Sequence, residues 1–351
     1  MHTMEAIRQR ISQSTDPTPR RVSIRGDTVT TVAGVMLVAA LFSDGWAHAN
    51  VPELEGFFTP WHAALYYSFA VNALWVASLA RRSAGLPVGY GWGAIGIVTF
   101  AVGGVLDMLW HLLLGVESGI DALVSPSHLV LLVGGTLLLT SALRSRWSAG
   151  DTTSVVAQGS LALASAVAAF FLIYVVEFAS AAPAIPYLRL PEGTPGHVEG
   201  ELPAIAGLGG FLISTAVMIV PLLLAWRRGR APRGLVTLIV TVQAWLTTFV
   251  VDFPIAAVAG AVGATLGAVA ADFCVQRLDV PPWPHQGLRL PTLAAITSAL
   301  VWTGHLIAIA VVPGLAWPPE LWSGVVVLAS MGAAVLGALT GGSERSHGLE
   351  V

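Results

Sequence analysis

Long apolar runs, separated by short polar segments, dominate the sequence. Ten of them approach or exceed the ~20 residues that an α-helix needs to cross the hydrocarbon core of a bilayer. They cover residues 28–48, 60–80, 91–113, 126–143, 153–177, 203–226, 234–252, 254–275, 291–312 and 319–341. Such runs favour helices, because each backbone group in lipid needs a partner within its own segment. The pattern predicts an all-α integral membrane protein, a polytopic bundle of about ten transmembrane helices.

The composition supports a membrane protein. Of 351 residues, 55% are hydrophobic and 11% are charged, with a mean hydropathy of +0.75. This is too little charge to solvate the surface of a globular protein, so the lipid bilayer is the predicted partner. With a net charge of −3, we expect no nucleic-acid partner.

The arginines predict an orientation and a division of the chain. All 17 basic residues are arginine, and all but Arg189 fall on one set of connections between the predicted helices. The positive-inside rule therefore places both termini in the cytoplasm of a protein of the plasma membrane. The regions are a cytoplasmic tail at 1–27, a doubled helical hairpin at 28–145, further transmembrane helices at 146–341 and a cytoplasmic tail at 342–351. Residues 1–27 lack the apolar core of a signal peptide, so the first helix is expected to direct insertion.

Polar residues within the apolar runs are costly in lipid, and here they form a pattern that occurs twice. Each copy has Asp-x3-His at the end of one helix and Ser/Thr-Pro-x-His at the start of the next. The histidines have 13 residues between them in the first copy and 16 in the second, and the aspartates are 63 positions apart. The first copy contains Asp44, His48 and Thr59-Pro60-Trp61-His62; the second contains Asp107, His111 and Ser125-Pro126-Ser127-His128.

The spacing predicts that each copy brings three side chains together. Residues four apart lie on one helix face, so Asp44 and His48 project together. Thr59 suits an N-cap and Pro60 the first helical position, which would fix the direction of His62. The same reasoning applies to the second copy. The predicted groups are Asp44, His48 and His62, and Asp107, His111 and His128, both toward the extracytoplasmic side.

Two imidazoles and one carboxylate form a ligand set for copper, Fe(II) or zinc with coordination positions left open. The single cysteine, Cys274, excludes a cysteine-based metal cluster within the chain. Glu53, Glu55 and Glu117, in the connecting loops, are either solvated or hydrogen-bonded to the histidines that they orient. Trp46, Trp61 and Trp110, beside the ligands, are either interfacial anchors or walls of an apolar substrate pocket.

Three further polar residues are candidates with two interpretations each. His305, in the middle of a predicted helix, is either functional or hydrogen-bonded between helices, and we favour the second. Glu177, at the predicted end of the fifth helix, is either a further ligand or proton relay or a solvated interfacial carboxylate. Asp252 either faces the cavity of the repeat or caps the next helix, and we favour the cap.

Residues 28–145 resemble the C-type subunit of the copper membrane monooxygenases, the family of particulate methane and ammonia monooxygenases. In that family an Asp-x3-His helix end and a Phe-Thr-Pro-Ser-His-like helix start form a copper site. Asp44, His48 and Phe58-Thr59-Pro60-Trp61-His62 resemble this site, as does the aromatic run Tyr66-Tyr67-Ser68-Phe69. Asp107 stands where the second copy of the family has asparagine, so both predicted ligand groups of this chain contain a carboxylate. We favour the first copy as the active one.

The resemblance implies a copper-dependent monooxygenase subunit that hydroxylates a small apolar substrate or ammonia with O2. Asp44, His48 and His62 would be the catalytic ligands. It also implies partner membrane subunits, one of them bearing a cupredoxin, in an oligomer of hetero-oligomers. The residues leave open copper or zinc transport or storage, di-haem electron transfer through the four histidines, and a structural subunit.

Overall fold

The computed structural model describes residues 20–51, 57–115, 119–281, 283 and 286–342. Across these residues the chain is helical, without a strand. The helices are α1 Ile24–Asn50, α2 Pro60–Arg82, α3 Gly91–Leu114, α4 Ile120–Val124, α5 Pro126–Leu139, α6 Ser141–Ser148, α7 Val155–Phe171, α8 Glu177–Ser180, α9 His197–Trp226, α10 Leu235–Val250, α11 Ile255–Leu278, α12 Gln286–Val311 and α13 Pro319–Gly342. A 3-10 turn, Ala182–Ala184, follows α8.

The prediction of an all-α polytopic bundle is confirmed. Among the described residues, eight helical segments are long and apolar enough to span a membrane, with α5 and α6 forming one such segment, Pro126–Ser148. At the fifth and seventh predicted spans lie the shorter apolar helices α7, of 17 residues, and α10, of 16. The predicted count of ten is therefore approximate, since these two helices fall below the usual spanning length.

The predicted fifth helix, 153–177, is shorter in the structure because the chain turns after Phe171. The apolar run continues through the turn, so its length alone does not reveal the bend. Tertiary contacts hold the bend, since the backbone N–H of Glu177 donates to Ser214 Oγ on α9 at 2.8 Å. The Glu177 side chain is also buried against α12.

Among the described residues, the bundle contains two large apolar cores and a small third cluster. One lies mainly among α1, α2, α3, α5 and α7 and includes Phe42, Phe100 and Phe170. The other lies mainly among α9 to α13 and includes Phe211 and Trp302. In the second core α11 and α12 approach so closely that a Cβ at Gly263 would overlap the Gly304 carbonyl oxygen. Small residues at such crossings permit backbone contact in lipid.

Polar contacts hold both ends of α1, the helix that carries Asp44 and His48. Near its start, Asp27 is fully buried, accepts a hydrogen bond from Tyr90 at 2.7 Å and pairs with Arg146 on α6. At its other end, Asn50 Nδ2 donates to the Val250 carbonyl of α10 at 2.8 Å. Buried polar groups need such partners in an apolar surrounding, so these contacts fix the position of α1 in the bundle.

Candidate metal centre

The last turns of α1 and the first turn of α2 bring the first predicted group together. The two imidazole nitrogens, His48 Nε2 and His62 Nε2, lie 3.4 Å apart. The carboxylate oxygen Asp44 Oδ2 lies 3.8 Å from His48 Nε2 and 3.5 Å from His62 Nε2. The Asp44 and His62 side chains are 11% and 5% exposed, whereas that of His48 is 29% exposed. The group is thus closed on one side and open beside His48.

Local structure determines the direction of His62. Thr59 is the N-cap of α2 and accepts a hydrogen bond from the His62 backbone N–H at 3.1 Å, with Pro60 at the first helical position. The predicted cap is confirmed. The His62 Nδ1–H donates to the Phe57 carbonyl at 2.6 Å, because a carbonyl oxygen only accepts. The other ring nitrogen, Nε2, therefore carries a lone pair that faces Asp44 and His48.

The donor set of the first group fits a metal ion. All three ligand atoms of Asp44, His48 and His62 lie within 4.8 Å of one another. Ligand atoms ~2.1 Å from a tetrahedral metal are separated by about 3.4 Å, close to the spacings observed here. The other carboxylate oxygen, Asp44 Oδ1, is buried with no hydrogen-bond partner among the described residues. An orphaned buried oxygen is costly, and a bound cation would supply its missing partner.

The second group also assembles, but several of its atoms have other partners. Asp107 Oδ1 lies 3.5 Å from His111 Nδ1 and 3.4 Å from His128 Nε2. His111 Nδ1 is also 2.9 Å from the Asp107 carbonyl, one turn back on α3. His128 Nδ1 is hydrogen-bonded to Ser125 Oγ at 2.7 Å, and Ser127 Oγ donates to Asp107 Oδ1 at 3.4 Å. Ser125 precedes α5, yet its hydroxyl makes no capping bond to the helix backbone.

The two groups belong to one site. The rings of His62 and His111 have centroids 5.8 Å apart, and Phe57 packs against both, with centroids at 5.0 Å and 5.9 Å. All six predicted ligands line a single cavity of about 150 Å³. The sequence placed the groups in two hairpins, and the packing of α1, α2, α3 and α5 joins them.

Apart from the six ligands and Tyr174, the cavity wall is apolar. Leu37 and Leu41 of α1 and Phe100 of α3 contribute to it, as do Leu131 of α5 and Val167 of α7. The second half of the bundle reaches the cavity at the end of α10. These residues were not predicted from the sequence. Their signal is a helical spacing toward the same face, since Leu37 and Phe100 each precede an aspartate ligand by seven positions.

The tryptophans near the ligands lie outside this cavity wall. Trp46 donates a hydrogen bond to Asp252 Oδ1 at 3.2 Å and packs against Trp61 and Phe249, with ring centroids at 5.8 Å and 6.2 Å. Trp61 and Trp110 are both half-buried. Trp46 and Trp61 thus form an aromatic contact between α1, α2 and the end of α10.

The favoured interpretation of Asp252 as the cap of α11 is wrong. That helix begins at Ile255 without a side-chain capping bond, because Asp252 lies in a turn with positive φ and accepts from Trp46 instead. The loop carboxylates Glu53, Glu55 and Glu117 lie outside the described residues, so their predicted role stays a prediction.

Glu177 and His305 form a second carboxylate–imidazole contact in the other half of the bundle. Glu177 Oε1 lies 3.2 Å from His305 Nε2, and both side chains are fully buried. Ser180 Oγ donates to Glu177 Oε2 at 3.1 Å. The favoured interpretation of His305 as hydrogen-bonded between helices is confirmed. Of the two interpretations of Glu177, that of a solvated interfacial carboxylate is wrong, because the side chain is fully buried. The pair packs against Phe178, Phe211 and Trp302 and joins α8 to α12.

Comparison with protein-family models, with curated proteins and with solved structures gave no match for this chain.

Proposed function

We propose that the chain is a copper-binding membrane oxidoreductase that hydroxylates an apolar substrate with O2. One observation carries the proposal: Asp44, His48 and His62 converge within 3.4–3.8 Å of one another at the polar end of an apolar cavity. The resemblance of this motif to the copper site in the C-type subunit of the membrane monooxygenases supports copper over the other metals. Fe(II) and zinc use the same ligand types, so metal analysis decides among them.

The three candidate ligands have different roles. Asp44 supplies a negative charge in an apolar surrounding, where it offsets the charge of a cation more effectively than in water. His62 is held in one tautomer by the Phe57 carbonyl, so its Nε2 is ready to bind. His48, the more exposed ligand, lies on the open side of the group. A copper ion held by these three residues would supply O2 activation, with coordination positions left for O2.

The apolar lining of the cavity supports an oxygenase over a protein that transports or stores a metal ion. A transported cation needs polar groups along its path, because a bare charge in hydrocarbon is costly. Below the ligands, the described wall is made of Leu37, Phe100, Leu131 and Leu139. An apolar wall instead admits an apolar molecule and excludes water from the reacting atoms.

The size of the same cavity argues against a di-haem electron-transfer protein. Its volume is about 150 Å³, below the ~300 Å³ at which pockets for drug-sized ligands begin, and a porphyrin exceeds that size. His48 and His62 also have their Nε2 atoms 3.4 Å apart beside a carboxylate, which leaves no room for a macrocycle between them.

Hydroxylation by O2 requires an electron donor. Converting R–H and O2 into R–OH and H2O consumes two electrons and two protons, so the reaction needs a reductant. We propose that a membrane quinol supplies the electrons, and that the chain works in a hetero-oligomer with partner membrane subunits, one of them bearing a cupredoxin. The arginine distribution supports placing the centre on the extracytoplasmic side of the plasma membrane.

Metal content by mass spectrometry of membrane-purified protein tests the proposal first. We expect copper in the wild type and its loss in the double variant His48→Ala/His62→Ala. The double variant His111→Ala/His128→Ala separates the copies, because it retains copper if the first group holds the ion alone. His197→Ala is the matched control, since His197 lies outside the centre and is bonded to the Leu190 carbonyl.

Two outcomes would overturn the proposal. One is a wild type that binds no metal after copper loading. The other is equal copper in the wild type and in His48→Ala/His62→Ala. If copper binds, membranes that contain the chain and its co-purified subunits are incubated with isotope-labelled O2 and a hydrocarbon. Labelled alcohol in the wild type, and none in the double variant, is the expected result.

A further inference from the structure

The cavity below the ligands extends far into the bundle. Leu37 and Phe100 precede Asp44 and Asp107 by seven residues each, which is about 10 Å along α1 and α3. Leu139 follows His128 by eleven residues, about 16 Å along α5 at the same rise. The space is therefore an elongated apolar channel with all of its ligand atoms at one end.

The wall offers no polar partner beyond that end. Between the ligands and Leu139 the lining consists of aliphatic and aromatic side chains, among them Val38, Val167 and Phe170. Ammonia would lose its hydrogen bonds to water there without replacement, which costs several kcal/mol at the upper end of measured values. A saturated hydrocarbon loses nothing on entry and gains dispersion contacts with the wall.

The volume limits the size of the occupant. Cavities of about 150 Å³ lined by leucine, isoleucine and phenylalanine stay dry and bind benzene, a molecule of six carbons. The volume here is also about 150 Å³, and the lining is of the same type. A lipid acyl chain has a much larger volume than this space, so it does not fit as a whole.

We infer that the channel is a binding site for a hydrocarbon of about six carbons, held lengthwise with one end at Asp44, His48 and His62. This inference rests on the proposed function only in naming the hydrocarbon as substrate, because binding itself needs no metal. It narrows the substrate from any small apolar molecule or ammonia to one class.

Photolabelling tests the inference without relying on turnover. The purified full chain in nanodiscs is incubated with a diazirine analogue of hexane, irradiated and digested, and labelled residues are located by tandem mass spectrometry. We expect labels on Leu131, Leu139 and Phe170, competed by excess n-hexane and present with or without copper. Lipid-facing residues such as Val133, 52% exposed, provide the non-competed background.

A blocking variant makes the test specific. Gly135 lines the channel, and a Cβ there would meet Phe100 at 3.7 Å, an ordinary contact, so larger side chains extend into the space. We expect Gly135→Val to lower competed labelling about tenfold, equivalent to ~1.4 kcal/mol of binding. Gly135→Ala, which disturbs packing least, should lower it by a smaller factor. Gly332→Val is the matched control, because no atom lies within 4 Å of a Cβ at Gly332.

The outcomes separate this inference from the proposed function. Labelling confined to lipid-facing residues, or channel labelling that n-hexane does not compete, overturns the inference even if copper is bound. Labelling that is unchanged in Gly135→Val, with the variant folded as judged by its thermal transition, also overturns it. Competed channel labelling in a chain that binds no metal supports the hydrocarbon site and refutes the oxygenase.

Discussion

The two copies of the repeat carry the same ligand residues and differ in which atoms stay free. In the first copy, His48 Nε2 and His62 Nε2 converge on Asp44, and one carboxylate oxygen has no hydrogen-bond partner among the described residues. In the second, the His111 nitrogen nearest the carboxylate lies within hydrogen-bonding distance of a helix carbonyl, and Asp107 accepts from Ser127. A repeated motif therefore identifies which side chains meet, whereas local hydrogen bonds decide which of them bind a ligand.

The residue before each proline accounts for part of this difference. The Thr59 hydroxyl accepts a hydrogen bond from the backbone N–H of His62. The His62 ring therefore bonds to a carbonyl through Nδ1, and its Nε2 faces the other two candidate ligands. Ser125 uses its hydroxyl on the ring of His128 instead. The first copy thus has a preorganised ligand, whereas the polar groups of the second copy are hydrogen-bonded to one another.

The largest expected effect separates the two aspartates. Asp44→Asn removes the anionic ligand of the open group, and we expect copper affinity to fall more than about a hundredfold. Loss of a partner that merely orients a ligand costs about 10 to 100-fold. Asp107→Asn should therefore lower the affinity by no more than about 10 to 100-fold. Titration against a copper chelator of known affinity measures both.

Equal losses in the two aspartate variants would show that the copies are equivalent, contrary to the comparison. Asparagine is close in size to aspartate, so neither variant introduces a cavity. A thermal transition within a few degrees of the wild type confirms that folding is unaffected.

The N-caps provide an effect of intermediate size. Thr59→Ala removes the capping bond to His62, which should cost about 1 kcal/mol of stability and weaken copper binding because His62 loses its fixed direction. Ser125→Ala should cost a similar amount of stability, about 0.5–1.5 kcal/mol, because its buried hydroxyl bonds to the His128 ring, but it should leave copper affinity unchanged, because that hydroxyl makes no bond to the first group. Thermal unfolding in nanodiscs and copper titration are the measurements.

Thr59→Ser is the control for the cap, since serine retains the hydroxyl and should restore both stability and copper affinity. A Ser125→Ala variant that weakens copper binding as much as Thr59→Ala would contradict the assigned difference between the two helix starts.

Much of this arrangement could be predicted from the sequence. The apolar runs indicated the helices, and the spacing of Asp44 and His48 indicated a shared helix face. The Asp44 oxygen without a hydrogen-bond partner and the His111 nitrogen bonded to a helix carbonyl could not be predicted, because both depend on small differences in atomic position. Neither could the bend after Phe171, where tertiary contacts of Glu177 override a continuous apolar run.

Asp252 shows a further limit of sequence reasoning. Its position before Phe253-Pro254 suggested a helix cap, yet its partner, Trp46, is 206 positions away. No local pattern encodes a contact of that separation. The apolar channel wall was missed for a related reason, since it is assembled from α1, α3, α5 and α7 and from the end of α10.

The smallest expected effect concerns the contact that ties the first copy to the second half of the bundle. Trp46→Phe removes the hydrogen bond to Asp252 and retains the ring that packs on Phe249. We expect a loss of about 0.5–1.5 kcal/mol in stability, the usual range for one hydrogen bond, and a change of a few-fold in copper affinity. Trp92→Phe, at a tryptophan that is 59% exposed, is the control for removal of an indole.

Substitutions at Asp252 distinguish the hydrogen bond from the strain of its turn. Asp252 has a φ of 60°, a conformation that asparagine also tolerates. Asp252→Asn keeps both the backbone preference and an acceptor oxygen, so it should match the wild type. Asp252→Ala should lose more stability than Trp46→Phe, because it removes the same hydrogen bond and alanine also tolerates this φ less well. In Trp46→Phe/Asp252→Ala, the two losses should not add, because both variants remove the same bond. Additive losses would mean that Trp46 stabilises the first copy through ring packing alone, and that the end of α10 does not position the ligands on α1.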